Sequence, residues 1–397
     1  MSSKKNKTAY SPLGALVSKI EGGGTPSKEV PGFWEGDIPL LTIKDLPNAR
    51  LGVTVDRITA KGLESSSSKI VPAGIPVIAT RMDVGRVVRC PVPVAINQDL
   101  RAIYPDPDKV DVDYIVQVLP TLEREFRRYS CGSTVMGIGI DDLKSIKIYL
   151  PPLAEQRKIA EILRTWDEAI ETAEAEISRL KERLVSLIAK LTLRQCVGKP
   201  EQGWHDVKIG DLLEEVDRDV EWDDAKTFSL ISCGRRASGI FLRERKSGSD
   251  IDVKKMYEVQ AGDFIVSQKQ SAHAGWGMVT KEFHGHHVSP MYTIYGLKGK
   301  DLHMPYFNWL CKTPWMRHQA YLSSYGVHIE KMSFVSRLFL KTKIRIPTLL
   351  ADQEKVCIVL EGAENEIKAA TLKLAKLNDQ KRGLMQKLLT GEVRVIA

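Results

Sequence analysis

The sequence predicts an α+β protein: two strand-rich mixed α/β globules separated by two long helices that form an antiparallel coiled coil, a pseudo-two-fold tandem repeat. Three observations predict it. A stretch from Leu153 to about Cys196 has no glycine or proline, and a second helical stretch runs from about Leu350 to Leu389. The two overlay when the chain is shifted by 197 residues, Gln156 falling on Gln353 and Leu163 on Leu360. The length, 397 residues, allows two or three domains at about 150 residues each.

The first segment, 1–150, reads as short strands broken by Gly, Pro, Asn and Asp, with a helix expected over Asp113 to Tyr129. The next, 151–200, is rich in Ala, Glu, Lys, Arg and Leu, all good helix formers. Ile170, Ile177, Leu184 and Leu191 recur every seventh position, with Ala173, Leu180 and Leu187 three further on. That heptad pattern is a coiled-coil seam. Val197-Gly198-Lys199-Pro200 ends the helix. The segment 201–347 repeats the strand-rich pattern, and 348–397 supplies the second helix. Its seam is Ile367, Leu374, Leu377, Leu384 and Leu388. Leu163, Trp166, Ile188, Val359 and Leu360 fall outside the seam, which predicts that a partner covers them.

The globules match more faintly than the helices. Val71-Pro72-Ala73-Gly74 pairs with Val259-Gln260-Ala261-Gly262, each leading into an apolar strand, Pro76 to Thr80 or Phe264 to Gln268, that ends on a base, Arg81 or Lys269. The scaffold repeats while the loops differ, which is how two sites on one frame acquire different targets.

Charge narrows the classes. The net charge is +8, and residues 1–150 and 203–347 carry +3 and +4 of it, while 151–202 are neutral. The globules are therefore the candidates for touching a polyanion. The start, MSSKKNKTAY, has no apolar stretch after its lysines, and no run of 18 apolar residues occurs, so neither a secretory signal nor a membrane span is expected. Six widely spaced cysteines form no metal knuckle and fit a reduced cytosol.

Catalytic motifs are missing: no GxGxxG after a strand, no phosphate loop, no HExxH, no GxSxG and no [DN]PP[YF]. Pro105-Asp106-Pro107-Asp108-Lys109 reads as a loop, not a nuclease metal site. His284, His286 and His287 read as a solvent-facing hairpin loop in preference to a metal site. The loop residues suited to DNA are Thr25, Lys28, Lys44, Arg81, Arg86, Ser133 and Thr134 in the first globule. In the second they are Arg235, Arg236, Gln268, Lys269, Gln270, His273, Tyr325 and His328. Gln pairs bidentately with adenine and Arg or Lys with guanine, each good pair giving about 1–3 kcal/mol of discrimination.

The segment Leu150-Pro151-Pro152-Leu153-Ala154-Glu155-Gln156-Arg157-Lys158-Ile159-Ala160-Glu161-Ile162-Leu163 resembles the opening of the central spacer helix in specificity subunits of Type I restriction–modification systems. Lys381-Arg382-Gly383-Leu384-Met385-Gln386-Lys387-Leu388-Leu389-Thr390-Gly391 is similar to the end of their second spacer, and Gly22-Gly23-Gly24-Thr25-Pro26-Ser27-Lys28 to a segment early in many of their target-recognition domains. The second helix departs from the pattern by lacking the paired proline, and the second globule by lacking the Gly-Gly-Thr-Pro loop.

The resemblance implies a non-catalytic, cytoplasmic reader of double-stranded DNA. Each globule would be a target-recognition domain for half of a split, asymmetric site, with the helices as spacer. It implies no cofactor on this chain. Two modification subunits would bring S-adenosylmethionine and adenine-N6 methyl transfer, and restriction subunits would add ATP- and Mg-dependent translocation and cleavage. The same architecture in a Type IIB-like or other phage-defence complex is the alternative. A stand-alone nuclease or methyltransferase, and a scaffold without DNA contact, are the competing classes.

Overall fold

The computed structural model describes residues 10–51, 54–129, 137–194, 196 and 198–395. The chain divides into two compact units, Met1–Glu174 with Lys373–Ala397, and Ala175–Leu372. Both division points fall within the long helices, Leu153–Thr192 and Leu350–Leu389, each 40 residues. The first helix stops a little short of the expected Cys196.

In the first unit, one four-stranded sheet has the order Val17–Gly22, Leu100–Pro105, Pro76–Ala79, Val87–Arg89, with antiparallel neighbours. A second has the order Asp56–Ile58, Trp34–Leu41, Val94–Ile96, Lys69–Val71, and its central pair is parallel. Tyr10–Pro12 pairs with Lys147–Tyr149. Pro76–Ala79 is buried on both faces, as a central strand made only of apolar residues must be.

The second unit has the same plan. Leu213–Glu215, Tyr292–Leu297, Phe264–Ser267 and Trp276–Met278 form the first sheet in the corresponding order. Ile240–Ser247, Thr227–Cys233, His287–Val288 and Tyr257–Glu258 form the second, again with a parallel central pair. Trp204–Lys208 pairs with Lys343–Pro347. The faint sequence repeat is thus a repeat of topology. Its Ala-Gly turns have one cause: Gly74 and Gly262 both take left-handed backbone, φ 80° and 96°, which glycine adopts without a Cβ penalty.

The attachment of globule to helix also repeats. Gln156 is buried at the start of the first long helix, where its Oε1 accepts from the Asp111 N–H at 2.9 Å and its Nε2 donates to the carbonyls of Pro151 at 2.8 Å and Lys109 at 3.2 Å. Gln353 does the same in the second unit, accepting from His303 N–H at 2.8 Å and donating to the carbonyls of Pro347 and Asp301, both at 3.0 Å. An amide has both donor and acceptor, so one side chain ties the turn before a globule helix to the long helix.

Each unit contains an antiparallel helix pairing of its own. In the first, Lys381 donates to Asp167 at 2.6 Å and Arg394 makes a bidentate pair with buried Glu155, so partner numbers fall as helix numbers rise. The Arg394 guanidinium holds the Glu155 carboxyl below its usual pKa, with help from the Val395 N–H. In the second, Arg183 pairs with Glu366 at 3.1 Å, and Ile188 joins the core that contains Cys357 and Leu360. Along the seam Ile170, Ile177 and Leu388 are buried, while Leu180, Leu184, Leu187, Ile367, Leu374, Leu377 and Leu384 are half-buried.

Three expectations are corrected. The helix expected over Asp113 to Tyr129 is two helices, Val112–Val118 and Glu123–Tyr129, separated by a 3₁₀ turn at Leu119–Leu122, because Pro120 has no N–H to continue the ladder. Leu163, Ile188 and Leu360 need no partner: they are buried in the cores of their own units. Val359 is 49% exposed and Trp166 half-buried. His287 does not face solvent. It lies in a strand, 5% exposed and edge-on to Phe228, and burial pushes its pKa down.

Candidate nucleic-acid interface

In the second unit, most of the sequence-derived DNA candidates meet at one place. The strand Phe264–Ser267 leads into a 3₁₀ turn, Ser271–His273, that reverses at Ala274, a non-glycine residue at φ 55°. Beside this turn stands a second one, Arg235–Ala237, with Arg236 and Ala237 also left-handed. A two-stranded ribbon, Ser324–Tyr325 with Ser333–Phe334, closes over both. Left-handed backbone at three non-glycine positions is strain of the sort that gathers at functional sites.

Side chains bind these three segments together. Arg235 donates from Nε to Gln270 Oε1 at 2.8 Å and from Nη2 to Glu330 Oε2 at 2.9 Å. His273 Nε2 lies 3.1 Å from the other Glu330 oxygen. Lys269 Nζ donates to Ser333 Oγ at 2.6 Å, and Ser271 shares a hydrogen bond with Ser324 at 3.2 Å. Gly275 permits this packing, since a Cβ there would sit 2.5 Å from Gln270 Cβ. Oriented by Arg235 through its carbonyl oxygen, Gln270 has no partner for its NH₂ among the described residues, and that NH₂ is the donor that adenine N7 accepts.

The other candidates of this unit differ in exposure. Gln268 is committed to the frame: its N–H donates to Met291 O, its carbonyl accepts from Phe334, and its amide donates to Pro290 O at 3.2 Å. Tyr325 is 67% exposed, and His328 and Arg236 are exposed, Arg236 without a partner among the described residues. Sequence reasoning missed Glu330, Ser324 and Ser333, which hold the cluster from the ribbon side. The strands of that ribbon have two residues each, too few for an alternation in the sequence to announce them.

The first unit repeats the frame with other side chains. Thr80 stands where Gln268 does, its N–H donating to Asp99 O at 2.8 Å and its carbonyl accepting from Ile138 at 2.9 Å. Arg81 follows, as Lys269 follows Gln268, with its guanidinium 3.9 Å from the Asp99 carboxylate. Thr25 reaches the same turn, donating to Gln98 Oε1 at 2.6 Å. Arg86 pairs with Asp83 at 3.1 Å. Lys28 and Lys44 are exposed, with no hydrogen-bond or ion-pair partner among the described residues. Ser133 and Thr134 lie outside the described residues.

Other chemistry is sparse. Burial pushes the thiols of Cys90 up to about 11 and of Cys233 and Cys357 up to about 12, so they stay protonated at neutral pH. Among the described residues no group of three or more His, Cys, Asp or Glu is placed to hold a metal, and no helix is long and apolar enough to cross a membrane. Asp106 caps its own turn, accepting from the Asp108 N–H and pairing with Lys109 at 2.9 Å.

Comparison with known proteins agrees with this plan. Residues 12–182 match the family described as Type I restriction modification DNA specificity domain. The chain is 28% identical over 235 residues to the Type I restriction enzyme MjaIX specificity subunit of Methanocaldococcus jannaschii, covering 53% of this chain and 54% of that one. It is 33% identical over 174 residues to the EcoR124I/EcoR124II specificity subunit of Escherichia coli, covering 42% and 43%. The chain thus spans about half the length of these curated relatives. Its fold resembles the crystal structure of the Type I restriction–modification S subunit from M. genitalium, with TM-score 0.54 and 14% identity over 97% of both chains. Residues 12–182 thus match a Type I restriction–modification DNA specificity domain, and over about half its length the chain is similar to specificity subunits of those systems.

Proposed function

We propose that the chain is the non-catalytic DNA-reading subunit of a cytoplasmic Type I restriction–modification complex, each globule reading one half of a bipartite, asymmetric target in double-stranded DNA. The carrying observation is the duplicated frame with different side chains at equivalent places: Arg81 against Lys269, Thr80 against Gln268, Asp99 against Met291. A shared frame gives both halves the same docking geometry, and unlike side chains give them unlike base preferences.

In this reading Gln270 and Lys269 face base edges, while Arg236, Lys28 and Lys44 neutralise phosphates. Arg235 exchanges Glu330 for DNA on binding, so part of its electrostatic gain offsets a lost ion pair. The helices, 40 residues and about 60 Å each, set the distance between half-sites and dock two modification subunits. Those partners bring S-adenosylmethionine and methylate adenine N6. Restriction subunits add ATP-driven translocation and Mg-dependent cleavage, and this chain holds none of these cofactors.

The test is a genome-wide map of methylated adenines in the host, with the gene present and deleted. A two-part motif with a fixed gap should vanish on deletion. An unchanged map refutes the proposal.

A further inference from the structure

The ribbon that closes the second unit's interface presents an unusual surface. Between residues 321 and 329, Tyr321, Leu322, Tyr325, Val327 and Ile329 are 43%, 57%, 67%, 94% and 45% exposed, the densest run of exposed large apolar side chains among the described residues. Val327, at the tip, is the most exposed of all of them. Aliphatic surface concentrated on a protruding tip marks a contact that another molecule covers.

The surroundings indicate which molecule. The ribbon is braced from below: Phe334 donates to Gln268 O at 3.0 Å, Val335 to Ser323 O at 2.8 Å, and Ser333 accepts from Lys269. Glu330, the carboxylate nearest the tip in sequence, is engaged by Arg235, and His273 Nε2 lies 3.1 Å from it. Among the described residues Lys331, four positions after Val327, is exposed with no ion pair, and Lys269 and Arg236 are exposed on the adjoining turns. A partner covering the tip also covers Lys269, Gln270 and Arg235, the set that faces bases in the function proposed above. An apolar tip in a cationic rim matches a polyanion with an apolar interior, which is a stacked duplex. Minor-groove and architectural proteins push aliphatic side chains between base steps in just such settings.

The geometry points to Val327 and Ile329 as an apolar wedge that enters the duplex at the second unit's half-site and opens one base step, with Tyr325 packing on the exposed base or sugar. The wedge rests on the DNA-reading function. It adds a role for that site: a methylating partner needs its adenine out of the stack, and unstacking beside the target lowers the cost of flipping it. The equivalent stretch of the first unit, before Ile138, lies outside the described residues.

The test uses the full chain assembled with its modification subunits, on duplexes carrying 2-aminopurine at successive positions of the mapped half-site. The parent should raise fluorescence at one step. The double variant Val327→Ser, Ile329→Ser should abolish that rise and weaken cognate binding about tenfold, with affinity for unrelated duplex and its salt slope unchanged. Val327→Leu should keep the rise. Equal fluorescence and affinity in parent and double variant overturn the wedge while leaving the DNA-reading function standing. So does intact fluorescence with loss of a modification subunit on gel filtration, which makes the tip a protein contact. A parent complex that recognises no bipartite site overturns both.

Discussion

Removing the amide of Gln353 should loosen the second globule from its helix. This side chain is fully buried and makes three hydrogen bonds, all to main-chain atoms: His303 N–H and the carbonyls of Asp301 and Pro347. Asp301 is exposed, so water replaces its lost donor. The Pro347 carbonyl is buried and His303 half-buried, and an orphaned buried polar group costs about 1–3 kcal/mol. Two such groups give about 2–6 kcal/mol for Gln353→Met, which keeps the volume. Gln353→Ala should cost more by a cavity contribution. Gln156 faces partners of the same exposure, with Lys109 exposed, Asp111 half-buried and Pro151 buried, so Gln156→Met should cost a similar amount in the first unit. Urea unfolding of the full chain reports the loss. Five of the seven tryptophans (204, 222, 276, 309 and 315) lie in the second unit and make fluorescence sensitive to it. If Gln353→Met stays within about 0.5 kcal/mol of the parent with an unchanged slope, the clamp does not hold the globule and the reasoning fails.

Three further predictions concern the interface, the spacer and the C-terminal clamp. Lys269→Ala should weaken DNA binding: relaxed preference at one position of one half-site marks a base contact, and a uniform loss with a salt slope shallower by about one marks a phosphate contact. Unaltered binding would remove Lys269 from the interface. Deleting 171–177 together with 372–378, the segments opposed by the antiparallel register of Asp167–Lys381 and Arg183–Glu366, removes about 10 Å of rod. The methylation motif should then keep its half-sites and lose up to about three base pairs of gap, at about 3.4 Å each, or methylation should cease. An unchanged gap refutes the spacer role. Glu155 is held below the usual carboxylate value by Arg394, so its stabilisation is complete above about pH 4.3 and is lost as pH falls through the lower folded value. Acid should therefore speed amide exchange at 390–395, and Glu155→Gln should exchange fast at neutral pH with no further acid step. An identical acid step in Glu155→Gln would assign the transition to another group.

What the chain discloses without coordinates follows from the range of the interactions involved. The long helices are local objects, so Ile170 to Leu191 announce one by period alone, and only its end differs, at Thr192 instead of about Cys196. Strand order is non-local. Elements such as His287–Val288 and Tyr257–Glu258 have two residues each, too few to show an alternation, and their pairing is visible only in space. The same limit applies to the interface. Residue type nominated both Gln268 and Gln270, yet only position shows that the first amide is committed to Pro290 while the carbonyl oxygen of the second is held by Arg235. His287 reads as a loop residue because its neighbours His284 and Gly285 are, although two residues after Gly285 the chain has entered the sheet.

The division of labour between main chain and side chain lets the surface at these turns change without changing the frame. At the equivalent turns of the two units the frame is made by backbone groups: Thr80 to Asp99 and Ile138 in one, Gln268 to Met291 and Phe334 in the other. None of these bonds depends on the side chains at Arg81 and Lys269, which follow directly and are exposed. Substitution there changes the surface presented to a partner without costing a backbone hydrogen bond of the frame, although at Lys269 it also removes the side-chain bond to Ser333 on the ribbon. The exceptions are side chains that do both jobs, and Arg235 is the clearest. It orients Gln270 and restrains Glu330 on the ribbon, so changing it should disturb the readout of its neighbours as well as its own. Altered preference spreading over adjacent positions in Arg235→Ala, against a single position in Lys269→Ala, would separate a positioning residue from a reading one.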